Sequence, residues 1–447
     1  MHGTVLRRAL SLRDLVVYGL LFIGPLAPVG VFGVLDARTG GAVALVYLLA
    51  TIAMAFTAWS YAEMSRVVPH AGAVFAYATA GLGRAAGFVA GWMAMLDYLL
   101  IPAVAYLFSG IALHALVPAV PAWTFTVAAF AATSALNVAG VAVAARVGFV
   151  VLVAELVVLA LFLAAAAVVL AVEGPTRPWT SPVAGLSGLD GAAVVTGLSV
   201  AVLSFLGFDA IASFAEENAG ESRQVGRAVL LCLGGAGLLF VAQTWVASLI
   251  SPIAPADLAT DPSRQGTAFY DLARLAIGPS MAALLALTKA IGPAFAAMTA
   301  HAAAARLLFG MARERRLPAL LARVNARGAP AAALASTGAL TLGVAVWAAR
   351  RADGLELLVS IVDVGALSAF TLLHASVIGY FAVRRRAERS IAHVWVPLLG
   401  GLVTIAVVAG AATTALVVGV AWLAVGAAIA VSRRARAPAA APSPRAD

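Results

Sequence analysis

Five ionisable residues sit deep inside long apolar stretches of this 447-residue chain: Asp97, Glu155, Asp209, Lys289 and Asp363. Four are acids and one is a base. A charge at the centre of a bilayer costs about 2.5–3.5 kcal/mol on insertion scales, so each position is a candidate for function. Carboxylates that share a water-lined cavity hold ammonium groups well; without a cation they repel, and one takes up a proton. A diammonium ligand needs an acid at each end. A carboxyl that binds a proton on one side of a membrane and releases it on the other couples transport to a proton gradient.

Two interrupted apolar segments position these charges. The first, about 15–35, is broken by Ile23-Gly24-Pro25-Leu26-Ala27-Pro28; the sixth, about 192–214, is broken at Ser204-Phe205-Leu206-Gly207-Phe208-Asp209. Paired breaks in corresponding halves point to a secondary transporter's binding site. Unpaired backbone at that depth survives only against protein or a water-filled cavity. Gly24, Pro25 and Ala27 therefore face Phe205, Gly207, Phe208 and Asp209 across the solute. Asp209 starts a new half-helix, where N–H groups favour an anion. It holds a substrate ammonium or the coupling proton, or else it is a local N-cap. Phe205 and Phe208 supply cation–π faces or an occluding lid, or simply pack. Asp97, beside Tyr98 in the third segment, suits the distal ammonium; the alternative is a buried acid bonded to neighbouring hydroxyls or amides. Asp363, near the outer part of the tenth segment, is expected to reach water.

Hydrophobic residues make up 63% of the chain and charged residues 11%, against about 25% charged in a soluble domain. Apolar runs long enough to cross hydrocarbon number twelve: 15–37, 41–65, 85–113, 122–138, 147–172, 192–216, 228–251, 277–310, 330–349, 357–382, 394–411 and 413–432. No cleavable signal is expected at the start. Of the 29 Lys and Arg residues, Arg38, Arg177, Arg264, Arg274, Arg350 and Arg351 fall in one set of loops, Lys289 lies in a segment, and the rest fall in the other set with both termini. The positive-inside rule places both termini in the cytoplasm of a plasma (inner) membrane protein. The sequence pI near 10.4 then records topology and contact with anionic lipid, not nucleic acid. Arg13, Glu216 and Glu217 lie near the cytoplasmic face, as an inner ion-pair gate or as solvated charges. Cys232 is the only cysteine, so no intrachain disulfide can form. The six His residues show no metal-ligand spacing, and no zincin motif, nucleophile elbow or phosphate loop is present. An enzyme reading lacks residues to support it.

The sixth-segment stretch, with Glu216-Glu217-Asn218 after it, resembles the sixth-helix signature of the amino acid–polyamine–organocation superfamily. So does the junction Tyr61-Ala62-Glu63-Met64 with Val68 to Tyr77. The proline-bearing first break, Gly91 to Pro102, Ala300-His301-Ala302 and Gly365 to Thr371 resemble the putrescine importer branch. The likeness covers residues 11 to 430 or so.

That resemblance implies an all-α membrane fold of the leucine-transporter type. Two inverted five-helix repeats (about 12–172 and 190–383) with broken first and sixth helices would be followed by two extra helices (394–432) and a disordered cytoplasmic tail (433–447). It also implies a proton-coupled importer of putrescine or a related cation, needing no cofactor beyond an ion gradient, with an amino acid permease (importer or exchanger) and a transporter-like sensor as the rival readings. Amino acid carriers of this fold hold the substrate carboxylate on break N–H groups, and Pro25 and Pro28 have none to give. Proline is also favourable early in any half-helix. Glu155 falls where many relatives carry a lysine that stands in for sodium, a role that an acid cannot play. Glu155 and Lys289 are left as proton-coupling candidates or as a structural pair, with Lys289 snorkelling outward from the eighth segment as the alternative.

Overall fold

The computed structural model describes residues 10–68, 73–139, 141–186, 188–213, 218–221, 223–313, 319–323, 331–385 and 390–436. Helix dominates, and among the described residues the only β pairing is one isolated bridge between Leu10 and Asn218. Each of the twelve apolar runs forms a helix or a broken helix. Among the described residues ten spans are long and apolar enough to cross a membrane; Ala122–Ala139 and Thr413–Arg436 occupy the fourth and twelfth positions. The last helix continues to Arg436, into the stretch read from sequence as tail; residues 437–447 lie outside the described residues.

Local chemistry sets the ends of the first crossing. Ser11 and Asp14 form a reciprocal capping box, with Ser11 N–H donating to Asp14 Oδ2 at 2.9 Å, which satisfies N–H groups that a helix start leaves free. Leu12–Ile23 stops at Gly24, whose φ of 74° suits a residue without Cβ. A short turn, Ala27–Gly30, carries Pro28 at its start. The second half, Phe32–Thr39, then runs to left-handed Gly40. The sixth crossing repeats the device: Asp190 caps Gly191–Ala201, a tight turn covers Val202–Phe205, Gly207 takes φ 115°, and helix resumes at Ala210–Ser213.

The remaining helices enclose this broken pair. The second crossing (Val43–Val67) lies along the seventh (Arg223–Ile250), and the third (Arg84–Leu116) along the eighth (Pro279–Arg313). In both pairs the partners stand five places apart along the chain. The tenth (Gly354–Val377) leans on the third and carries the eleventh (Ala392–Ala409) and twelfth on its outer side. Trp92 and Trp422 lock the twelfth to the third: each indole Nε1–H donates to the other's backbone oxygen at 2.7 Å.

At the Arg38 end the broken helices are tied down by charge. Arg177 grips Asp36 through two 2.8 Å bonds, both side chains fully enclosed. Arg38 pairs with Glu356 of the tenth crossing and donates to the Thr196 carbonyl of the sixth at 3.3 Å.

Candidate functional site

The two breaks meet. A Cβ on Gly207 would stand 3.0 Å from Phe22 Cβ and 3.1 Å from the Phe22 carbonyl carbon, so only glycine lets the sixth crossing approach the first this closely. Buried backbone donors need partners, and the partners here come from the chain itself. In the first break Gly24 N–H reaches Leu20 O, Ala27 N–H reaches Gly24 O (both 2.9 Å) and Val29 N–H reaches Leu26 O at 3.1 Å. Leu26 N–H donates to the Glu155 carboxylate. The freed Pro25 carbonyl accepts from Gln243 Nε2 at 2.9 Å. In the second break Gly207 N–H donates to Asp209 Oδ1 at 3.2 Å, and the Asp209 and Ala210 N–H groups also turn to that carboxylate. The second break thus turns several N–H groups onto its own Asp209, whereas the first gives one, Leu26 N–H, to Glu155 and the others to backbone carbonyls.

Asp209 is both capped and shared. Tyr98 Oη donates to its Oδ2 at 3.3 Å. One residue earlier on the third crossing, and about 100° around a helix of 3.6 residues per turn, Asp97 turns toward the tenth. There a Cβ on Gly365 would lie 3.1 Å from the Asp97 backbone nitrogen. Asp97 and Asp209 lie within electrostatic range of each other, 8% and 7% exposed respectively. Asp363 corrects the expectation that it reaches water. It is 1% exposed and lies within electrostatic range of Asp97, because the tenth crossing is enclosed on nearly every side, with Ser360 to Leu367 all buried.

Glu155 and Lys289 flank the first break. Glu155 fills the gap between Gly24 and Gly292 of the eighth crossing: a Cβ on Gly24 would lie 3.6 Å from Oε2, and one on Gly292 would overlap Oε1. Lys289 interacts electrostatically with it, and its Nζ sits 5.0 Å from the Phe108 ring centroid. Both are buried, so Lys289 does not snorkel to water.

The aromatic candidates are packed. Phe205 lies against Tyr47 and Phe240, with centroids at 6.4 and 5.0 Å. Phe208 lies against Tyr61 and Phe370, both at 5.9 Å. Tyr61, beside Tyr77 and Phe370, is in electrostatic range of both Asp97 and Asp209. Sequence reasoning passed over Tyr61, Gln243 and Phe370 as site neighbours. Arg13 is exposed at the start of the first helix; Glu216 and Glu217 lie outside the described residues. Among the described residues no group of three or more His, Cys, Asp or Glu could hold a metal ion.

Residues 15–432 match the family model described as amino acid permease. The chain belongs to the amino acid permease family, within the amino acid–polyamine–organocation superfamily. This permease is 30% identical over 433 residues to the low-affinity putrescine importer PlaP of Escherichia coli, covering 94% of this chain and 92% of that one. It is 28% identical to a methylthioribose transporter of Bacillus subtilis, over 83% of this chain and 81% of the relative. To the branched-chain amino acid permease BcaP of Lactococcus lactis it is 25% identical, over 86% and 83%. The chain is a multi-pass membrane transporter of this superfamily.

Proposed function

We propose that this permease imports putrescine or a closely related organic cation by alternating access, coupled to protons, in a plasma membrane with both termini in the cytoplasm. One observation carries the substrate reading. The N–H groups of the two breaks, which would grip a substrate carboxylate, are already engaged, by Asp209 in the sixth crossing and by Glu155 and backbone carbonyls in the first. An amino acid would bring a carboxylate up against Asp97, Asp209 and Asp363, which repel it when ionised. A diamine brings only ammonium groups, which these acids accept through charge-assisted hydrogen bonds. The importer of Escherichia coli named above supports the same substrate class.

In this reading Asp209, steadied by Tyr98, takes one ammonium and Asp97 faces the other. Gly24, Pro25, Ala27 and Gly207 shape the cavity through backbone, and Phe205 and Phe208 hold the breaks in place by packing. Glu155 and Lys289 form a buried pair that keeps the first break nearly neutral, with Glu155 the candidate to carry the coupling proton. Arg13 and the two acids after the sixth crossing remain an inner gate in this scheme. Labelled putrescine uptake by reconstituted Asp97→Asn and Asp209→Asn proteins tests the roles of the acids. Each variant is expected to insert and fold yet lose most uptake. Wild-type rates from either would remove that residue from the site.

A further inference from the structure

The tenth crossing contributes an acid to which the scheme above assigns no subsite. Asp363 is 1% exposed, and neither of its carboxylate oxygens has a hydrogen-bond partner among the described residues. Asp97 Oδ1 is likewise buried and unpartnered. An unsatisfied buried polar group costs folding free energy, and an ionisable one costs more. Two such carboxyls on facing helices hold three acceptor atoms ready for a donor that the chain does not provide. The tenth crossing packs along the third, where a Cβ on Gly365 would lie 3.1 Å from the Asp97 backbone nitrogen, and it also touches the twelfth. Val364 meets Gly419 of the twelfth crossing and Ser360 Oγ accepts from the Ala412 N–H. Asp363 is in electrostatic range of Asp97 on the third crossing.

We infer that Asp363 and Asp97 together form the second ammonium subsite, so that the tenth crossing sets selectivity for aliphatic diamines over monoamines. The inference rests on the reading of the substrate as an organic amine. Tyr98 orients Asp209 at one end of the ligand. At the other, the ammonium donates to Asp97 Oδ1 and to Asp363, satisfying atoms that are otherwise orphaned. A monoamine fills only the first subsite. An α,ω-diamine fills both, and the separation of the subsites selects its length.

Ligand-induced thermal stabilisation of the purified transporter reads this directly, since a ligand that binds only the folded state raises its stability. The probes are butylamine and the three-, four- and five-carbon diamines, on wild type, Asp363→Asn and Asp363→Glu. Wild type is expected to bind its preferred diamine at least about tenfold more tightly than butylamine, the factor that about 1.4 kcal/mol supplies. Asp363→Asn is expected to lose that preference and keep the butylamine affinity. Asp363→Glu, one methylene longer, is expected to favour a shorter diamine and checks the site even if the asparagine variant fails to fold. An Asp363→Asn protein with the wild-type diamine preference overturns the inference and leaves the amine reading standing. A wild type stabilised by no amine overturns both.

Discussion

Neutralising Glu155 or Lys289 separately should harm the protein more than neutralising both. The two side chains are 5% and 4% exposed, and Glu155 is held between Gly24 and Gly292 with Leu26 N–H on its carboxylate. Removing one partner of a buried pair leaves an uncompensated charge in low dielectric, at roughly 3–5 kcal/mol. Glu155→Gln keeps an acceptor for Leu26 N–H, so it isolates the charge. Lys289→Met keeps the apolar stem against Phe108. The double variant removes both charges and should be more stable than either single one, with an interaction energy near 3 kcal/mol, at the upper end for contacting residues. Equilibrium denaturation in mixed micelles gives the four stabilities of the cycle. Additive losses, with the double variant the least stable, would refute a charge pair at the first break. Uptake by the double variant separates the roles of the pair: net accumulation that no longer follows the proton gradient marks Glu155 as the proton carrier, and coupled uptake marks the pair as structural.

Three further outcomes follow from the same geometry. Gly207→Ala forces a side chain into φ 115° and to 3.0 Å from Phe22 Cβ, costing about 1–2 kcal/mol for the backbone and about 1–3 kcal/mol for overpacking. Melting temperature and uptake should both fall, and a wild-type value of either would contradict the contact between the breaks. Asp36→Ala strands the enclosed Arg177 guanidinium and should destabilise by about 3–5 kcal/mol, measured by denaturation; a loss below about 1 kcal/mol would show that this clamp is dispensable. Tyr98→Phe removes one hydrogen bond to a charged acceptor, worth about 1.5 kcal/mol, so the half-saturating substrate concentration should rise about tenfold, with an unchanged value refuting the contact.

The helices and both breaks were legible because each is a local property: apolar length, glycine where φ turns positive, proline where an N–H is absent. Asp209 and Asp97 were legible as charges out of place in apolar helices. Asp363 carried the same signal, but its burial depends on the several helices that enclose the tenth crossing, which no segment encodes alone. Gln243 on Pro25 and Tyr61 against Phe208 are contacts between distant helices, and nothing in their local sequence announces them. Arg177 reads from sequence as a loop charge; its fork fits the Asp36 carboxylate and is enclosed.

The central claim is that the cavity takes cations and has no place for a carboxylate. Uptake of labelled putrescine into proteoliposomes under an inward proton gradient, with unlabelled amines and amino acids as competitors, tests it most directly. The account predicts accumulation that collapses with the gradient, yields to other diamines and resists alanine and glutamate. No putrescine uptake beside clear transport of an amino acid would keep the permease fold and contradict the account of its site.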